Sequence, residues 1–415
     1  MAAIVLTRDG REHLLSGLSA LFSSRKPAGG IEVVLVDNGS TDGCAEAARR
    51  AFPGIKVIRN EENVGFARGV HQGAKATGAS VLVLVNDDAV VEPEAISLLV
   101  EALDAAPASV VATAGLLTDS TGKRIDFVDG LVTFDGHALH KGSGRPVAGN
   151  SPLVQGGLRL FPCGGFCALK REDFEGLGGL DESFFAYLED VDFGWRATLA
   201  GRTTLFVPGA RARHLSGATG RRLGLSRRGV LIEANAFSVA YKNLDAESLA
   251  ALLPAICATF QHRAWYGLVA GRPEIQSALK DPFPAPFPVR KRLPRIPGLR
   301  PPVVRLLRRL AGVAQPAVPS SREPEAPIVI EHEVGRMWLV AWNRIVASWP
   351  ELAAKRRAVQ ALRRLPDQEL FRAYPLHLVA TYPGDAEFFA SDFFRTLLPA
   401  HPELVEATLE EVAAG

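Results

Sequence analysis

The sequence predicts an α/β fold: a mostly parallel sheet flanked by helices, then a Pro-rich linker, then an α-helical C-terminal region. Three observations carry this expectation. The first 245 residues alternate short apolar runs with amphipathic stretches, the order that a parallel sheet covered by helices requires. Residues 281–327 hold twelve of the 28 prolines, a density that excludes helices and central strands. Beyond them, aromatic residues recur at helical spacing.

Element by element, Ala3–Leu6 reads as a strand and Glu12–Phe22 as a helix. Ile31–Val36 is a largely β-branched run, Cys44–Phe52 is helical, and Lys56–Arg59 is a short strand. Phe66–Ala76 is helical again, and Val81–Val85 is the clearest buried strand. Pro93 opens a helix through Ala105, as proline does at a first helical turn. The expected organisation is an α/β domain over 1–245, a helical extension over 246–280, a linker over 281–327 and a helical domain over 328–415. In the last, Trp338, Trp342, Ile345 and Trp349 mark one helix, and Phe388, Phe389, Phe393 and Phe394 another. Both stripes read as core packing rather than a partner groove.

The 47 basic residues nearly balance the 45 acidic ones, for a net charge of +2. With 47% hydrophobic residues, the chain is not wholly disordered. Its lack of a global positive field excludes a protein that coats nucleic acid, and no nucleic-acid partner is expected. The charge is uneven, however: residues 281–327 hold nine basic against three acidic residues, among them Arg305, Arg308 and Arg309 in the Leu-Arg stretch Val303–Leu310. Contact of this basic segment, 290–310, with an anionic membrane surface is the sharper reading, a solvated linker the bland one. Cys163 and Cys167 have no second close pair for a zinc site, and the four cysteines read as buried free thiols. The N-terminal apolar run, Ile4 to Leu6, is too short for a secretory signal, and no stretch reaches a membrane span of about 20 residues. The expected location is cytoplasmic.

In open parallel sheets, ligands bind beyond the carboxyl ends of the strands. The strand Ile31–Val36 ends in Asp37-Asn38-Gly39-Ser40-Thr41-Asp42, and Val81–Val85 ends in Asn86-Asp87-Asp88. Each alone is acceptable turn sequence; together, at matching strand ends, they favour a site. No Gly-rich phosphate loop is present. A nucleotide ligand would then need a metal to offset its charge, and adjacent carboxylates suit Mg²⁺ or Mn²⁺. Further on, Glu189, Asp190 and Asp192 follow an aromatic run, the pattern of packed acids suited to general base work.

These landmarks resemble, in order, the family 2 glycosyltransferases of the GT-A fold, a Rossmann-like architecture, and particularly the rhamnosyltransferase-like members. Val5–Arg11 resembles the family's first strand and turn. Val33–Gly43, VVLVDNGSTDG, is similar to its nucleotide-binding segment, and Asn63–Ala67 to its N-x-G-F-A segment. Asn86-Asp87-Asp88 occupies the place of the D-x-D motif. Gly178–Phe185, followed by Glu189-Asp190, is similar to the acceptor and catalytic region. His214 sits where the family often places a metal-binding histidine. The likeness covers about residues 2–245 and leaves out the linker and the C-terminal helices. The chain departs from the family at Arg8-Asp9, at Asn86 and at Val70-His71.

The resemblance implies inverting, non-processive transfer of a sugar, rhamnose by likeness, from a nucleotide-diphosphate donor to a hydroxyl of a glycan or lipid-linked saccharide. Thr7, Asp37, Asn38, Asn63, Gly65, Phe66 and Arg68 are the expected donor contacts, with Asp87 a secondary one. Asp88 and His214 are the expected ligands of a divalent metal. Asp190 is the expected base, with Glu189 and Asp181 orienting the acceptor or Asp190 itself. His137 and His140 read as structural or incidental. A non-catalytic nucleotide-sugar-binding module and a sugar-phosphate nucleotidyltransferase are the competing readings. The C-terminal helices are open to a partner, a homodimer interface or the acceptor, with docking on the catalytic domain the default. A lipid-linked acceptor would place the enzyme peripherally at the inner face of the plasma membrane.

Overall fold

Four apolar runs at the N-terminal end become the parallel strands of one large sheet. In the computed structural model, which describes residues 1–27, 29–148, 151–215, 225–269, 333–400 and 402–415, they are β1 (Ala2–Thr7), β2 (Glu32–Asp37), β3 (Lys56–Arg59) and β4 (Val81–Asn86). Helices α1 (Arg11–Ser23), α2 (Cys44–Ala51) and α3 (Phe66–Lys75) make the crossovers. Both faces of β1, β2 and β4 are covered, which is why their central residues are apolar, whereas β3, at the sheet edge, runs from Lys56 to Arg59, both exposed. Ala3, Val5, Val33, Leu35, Val83 and Val85 join Leu14 and Leu18 of α1 on one side. Ile4, Val36, Leu82 and Leu84 join Val70 and Ala74 of α3 on the other.

Beyond β4 the chain forms β5 (Ala89–Val91), α4 (Ala95–Ala105), β6 (Val110–Thr118), β7 (Ile125–Phe127), β8 (Gly130–Thr133), β9 (Ala138–His140), β10 (Gly157–Arg159) and β11 (Phe166–Lys170). Helices α5 (Arg171–Gly176) and α6 (Glu189–Leu199) precede the long β12 (Thr203–His214). The strand order is β10-β12-β6-β11-β4-β1-β2-β3, with β5 on β12 and β7 on β6. The sheet is therefore mixed. The β4-β1-β2-β3 half is parallel, whereas β11 runs antiparallel to both β4 and β6. The register opposes Thr7 to Asp37 and Leu6 to Asn86. The tips inspected in sequence thus end together at one edge.

The remaining elements are α7 (Leu225–Asn243), α8 (Ala246–Val269), α9 (Glu333–Ala347), α10 (Trp349–Leu362), α11 (Asp367–Ala373), β13 (Leu376–Leu378), α12 (Asp385–Ala390), α13 (Asp392–Leu397), β14 (Val405–Glu406) and α14 (Leu409–Ala414). The C-terminal segment is mainly helical but adds two short strands to a small sheet ordered β14-β13-β8-β9. Residues 1–268 and 333–415 form one compact unit. Its seam is aromatic: Trp338 lies edge-on to Phe260 at 5.0 Å and Trp342 edge-on to Phe237 at 6.1 Å. Phe389 and Phe394 are buried, but Phe393 of the same stripe is 62% exposed. The four cysteines are free. Among the described residues no helix is long and apolar enough to cross a membrane. The linker 281–327, with the basic segment 290–310, lies outside the described residues, as do 270–280 of the expected helical extension.

Candidate active site

At the tip of β2, Asp37 is buried. Its Oδ1 accepts the Ser40 N–H at 2.9 Å. Its Oδ2 has no hydrogen-bond partner, with Arg59 Nε at 3.7 Å. A buried carboxylate oxygen left this way is costly unless a donor completes it. Asn38 donates to the Gly65 carbonyl at 3.2 Å and accepts from Asn60 at 2.9 Å, tying the β2 tip to the turn that starts α3. Asn63 Oδ1 accepts the Gly65 N–H at 2.9 Å. Gly65 has φ +88°, and a Cβ there would lie 2.6 Å from the Phe185 carbonyl oxygen, so only glycine fits.

Two expected donor contacts are engaged inside the protein. The buried Thr7 hydroxyl donates to Asp87 Oδ2 at 2.7 Å, so this pair braces the tips of β1 and β4 against each other. Arg68, at the surface, pairs with Glu182 at 3.0 Å.

Asp88 and His214 come together as expected. Their backbones are fixed by strand pairing, His214 opposite Ala89, and by the Leu215 N–H donating to the Asp88 carbonyl at 3.1 Å. Asp88 Oδ1 lies 2.9 Å from His214 Nε2. That is close to the ~3.0 Å between neighbouring ligands of an octahedral ion with bonds of about 2.1 Å. The other ring nitrogen, Nδ1, lies 2.6 Å from Asp126 Oδ2, a residue the sequence reading missed. Burial opposes a charge on His214, but the two carboxylates outweigh it and raise its pKa to about 10. Among the described residues no group of three or more His, Cys, Asp or Glu side chains is arranged to hold a metal. Small divalent ions are commonly held by one or two carboxylates completed by substrate phosphate and water, the part Asp88 is placed to play.

Asp190 stands in the first turn of α6. The Gly164 N–H donates to its Oδ2 at 2.9 Å and the Val191 N–H to its Oδ1 at 2.8 Å. A Cβ at Gly164 would lie 3.4 Å from the Phe66 ring and 3.5 Å from Asp190 Oδ2, so Phe66 stands beside this carboxylate. The neighbouring Gly165 carbonyl accepts the Asn86 N–H at 3.0 Å. One short loop, 163–165, therefore joins Asp190 to the β4 tip that carries Asp88. Burial pushes the Asp190 pKa up, against the backbone N–H groups that lower it.

The approach to Asp190 is strained. Phe185, Tyr187 and Leu188 have φ values of 65°, 73° and 67°, a region that costs roughly 1–3 kcal/mol per non-glycine residue. The buried Asn235 amide compensates, donating to the carbonyls of Phe184, Ala186 and Tyr187 at 3.0, 2.9 and 2.8 Å. The Phe185 carbonyl accepts the Phe66 N–H at 2.5 Å. The Gly65 turn and the 185–188 loop are thus hydrogen-bonded to each other.

Asp181 is engaged within the protein. Its Oδ2 meets Lys242 Nζ at 2.5 Å, and its Oδ1 takes Ser183 N–H, Ser183 Oγ and Lys355 Nζ at 3.0, 2.7 and 2.5 Å. With a side chain only 6% exposed and both oxygens committed, it braces the loop that leads to Asp190. The missed residues Asp126, Gly164, Asn235 and Lys242 have no local pattern that marks them. His140, read as incidental, points Nδ1 to the Asp126 carbonyl at 3.3 Å, and its charge lowers the Asp190 pKa. His137 is structural as expected, set between Asp135 at 3.2 Å and Glu233 at 3.1 Å.

Glu189 is buried, and its Oε2 has no hydrogen-bond partner. Burial, then Asp190, raises its pKa to about 8. An unfolded glutamate ionises near pH 4.3. Between these values the unfolded chain has released the proton and the folded chain has kept it, so this group lowers stability as pH rises. Glu189→Gln removes that cost. Its melting-temperature gain over wild type should grow from about pH 4 to pH 8 and then level off. A pH-independent difference would refute the assignment.

Residues 3–178 match the family model described as Glycosyl transferase family 2. Over 244 residues the chain is 27% identical to the N-acetylglucosaminyl-diphospho-decaprenol L-rhamnosyltransferase of Mycobacterium tuberculosis, covering 53% of this chain and 78% of that one. It is 28% identical over 228 residues to the O-antigen biosynthesis protein RfbC of Myxococcus xanthus, covering 53% of this chain and 18% of that one. Among solved structures, it aligns with the mannosyltransferase PcManGT of Pyrobaculum calidifontis in complex with GDP-Man and Mn²⁺. That match has 17% identity and a TM-score of 0.46, covering 83% of this chain and 86% of that one. Over residues 3–178 the chain is thus similar to the family 2 glycosyltransferases, and the matches support a glycosyltransferase.

Proposed function

We propose that the protein transfers a sugar, with inversion and one residue at a time, from a nucleotide-diphosphate donor to a hydroxyl of a lipid-linked saccharide. One observation carries this reading: the 163–165 loop joins a buried carboxylate, Asp190, to the strand tip bearing the Asp88–His214 pair. The half-satisfied Asp37 supports a donor base held at the β2 tip, with Asn38, Asn63 and Gly65 shaping its wall.

In the proposed step the acceptor oxygen attacks the anomeric carbon as the bond to the diphosphate breaks. Asp190 takes the hydroxyl proton, and the nucleoside diphosphate leaves with the bonding electrons. A raised carboxylate pKa suits a base working near neutral pH. Phe66 and the 185–188 loop exclude water beside Asp190. Asp88 and His214 would hold Mg²⁺ or Mn²⁺, which when bound supplies a Lewis acid for the charge developing on the leaving diphosphate. Rhamnose as the sugar, and N-acetylglucosaminyl diphosphate on a polyprenyl carrier as the acceptor, are supported by the likeness to the mycobacterial enzyme. A cytoplasmic enzyme held at the membrane by the basic segment 290–310 fits such an acceptor.

The test incubates the full chain with Mn²⁺, radiolabelled UDP-, dTDP- or GDP-sugars, and the carrier-linked acceptor in vesicles with or without anionic lipid. Sugar transfer with inverted anomeric configuration, strongest from one donor and on anionic vesicles, is expected. Donor binding with no turnover would favour a binding module, and pyrophosphate exchange a nucleotidyltransferase; either overturns the proposal.

A further inference from the structure

We propose that Asp126 is the positioning residue for His214, holding the imidazole so that Nε2 faces Asp88 and the divalent cation. The inference rests on the metal reading of Asp88 and His214 and adds a residue to it. The backbone already fixes where Asp88 and His214 start, through the β5–β12 pairing and the Leu215 N–H bond to Asp88. It does not fix the ring, which is free to turn about its side-chain bonds unless something grips its far nitrogen.

Asp126 supplies that grip by strand geometry. In β7 the flanking Ile125 and Phe127 are 2% and 1% exposed, so the alternation of a strand turns Asp126 to the opposite face. Thr118 of β6 pairs with Ile125 on one side and with Arg213 on the other. This common neighbour sets Asp126 and His214 one strand apart, and Asp126 Oδ2 lies 2.6 Å from Nδ1. A metal-ligating histidine characteristically donates its other ring N–H to a carboxylate, which fixes the tautomer and the ring plane.

The experiment is Mn²⁺ titration followed by electron paramagnetic resonance, on the full chain without sugar donor. The proteins are wild type, Asp126→Ala, Asp126→Asn, Asp126→Leu, His214→Ala and the Asp126→Ala/His214→Ala double variant. Asp126→Ala should weaken Mn²⁺ binding about 10–100-fold. Asp126→Asn, which keeps an oxygen acceptor, should recover most of that loss; Asp126→Leu, which keeps the bulk but no acceptor, should show the full loss and serves as the test variant if Asp126→Ala fails to fold. The double variant should bind no more weakly than His214→Ala, because Asp126 acts only through the ring. Unchanged affinity in Asp126→Ala overturns the inference. So do losses that multiply in the double variant, which would make Asp126 a ligand in its own right. A wild-type protein that binds no Mn²⁺, or a His214→Ala variant that binds it normally, overturns the metal reading instead and the inference with it.

Discussion

Replacing Asp190 by asparagine should reduce sugar transfer by about 10²–10⁴-fold, the usual contribution of a positioned base. Asparagine keeps the size and one acceptor oxygen, so one of the two N–H groups that hold the carboxylate, those of Gly164 and Val191, keeps its partner and the other loses it. Donor binding, read by thermal shift with nucleotide sugar, should persist, because the contacts proposed for the nucleotide lie at the β2 tip and the Gly65 turn. The loss should fall on kcat rather than on KM for the donor, since a proton is taken only as the transition state forms. The rise of rate with pH that reports ionisation of Asp190 should disappear from the residual activity. Near-normal turnover would show that another group removes the proton.

The second large effect is on stability. Lys242 is buried and joins two carboxylates, Asp181 at 2.5 Å and Asp192 at 2.8 Å, with its ammonium 4.6 Å from the centre of the Phe184 ring. Burial works against ionisation of Asp181, but Lys242 and Lys355 outweigh it and hold its pKa well below the ordinary range. Lys242→Met keeps the length of the side chain and removes the charge. Two buried acids then share only the remaining cations, and breaking such a buried pair costs about 3–5 kcal/mol. Lys355→Met is the comparison. That side chain is 29% exposed and nearer the surface, and its loss should cost less than Lys242→Met. Chemical denaturation of both variants measures the difference. A Lys242→Met penalty below about 1 kcal/mol would mean that the knot contributes little.

What the sequence disclosed and what it hid divide along one physical line. The strand tips at Asp37 and Asp88, and the acids at 189 and 190, are set by runs of fewer than ten neighbouring residues, and such local patterns are readable. The parallel half of the sheet was legible for the same reason. Asp126 was not, because its meeting with His214 depends on two strands choosing opposite sides of β6. Asn235 was hidden likewise: a mid-helix asparagine reads as a solvated side chain until the carbonyls it clamps, 48–51 residues earlier, are folded against it. The lysine partners of Asp181 were hidden because they lie 61 and 174 residues away. The reversal of β11 between β4 and β6 left no mark on its composition, since a central strand is apolar whichever way it runs.

The bracing of the 181–188 loop bears on inheritance. The family match ends at residue 178, short of Asp190 and of several side chains that hold its loop: Asn235, Lys242, Arg344 on the Ser183 carbonyl at 2.7 Å, and Lys355 on the Ser183 hydroxyl at 2.8 Å. A gene fusion or truncation cut at that boundary would carry off the strand tips proposed for the nucleotide and leave behind the group proposed to activate the acceptor. Two such proteins could share the recognisable half and diverge freely in what they glycosylate. The heritable unit of chemistry here is a neighbourhood in space, assembled from both ends of the gene.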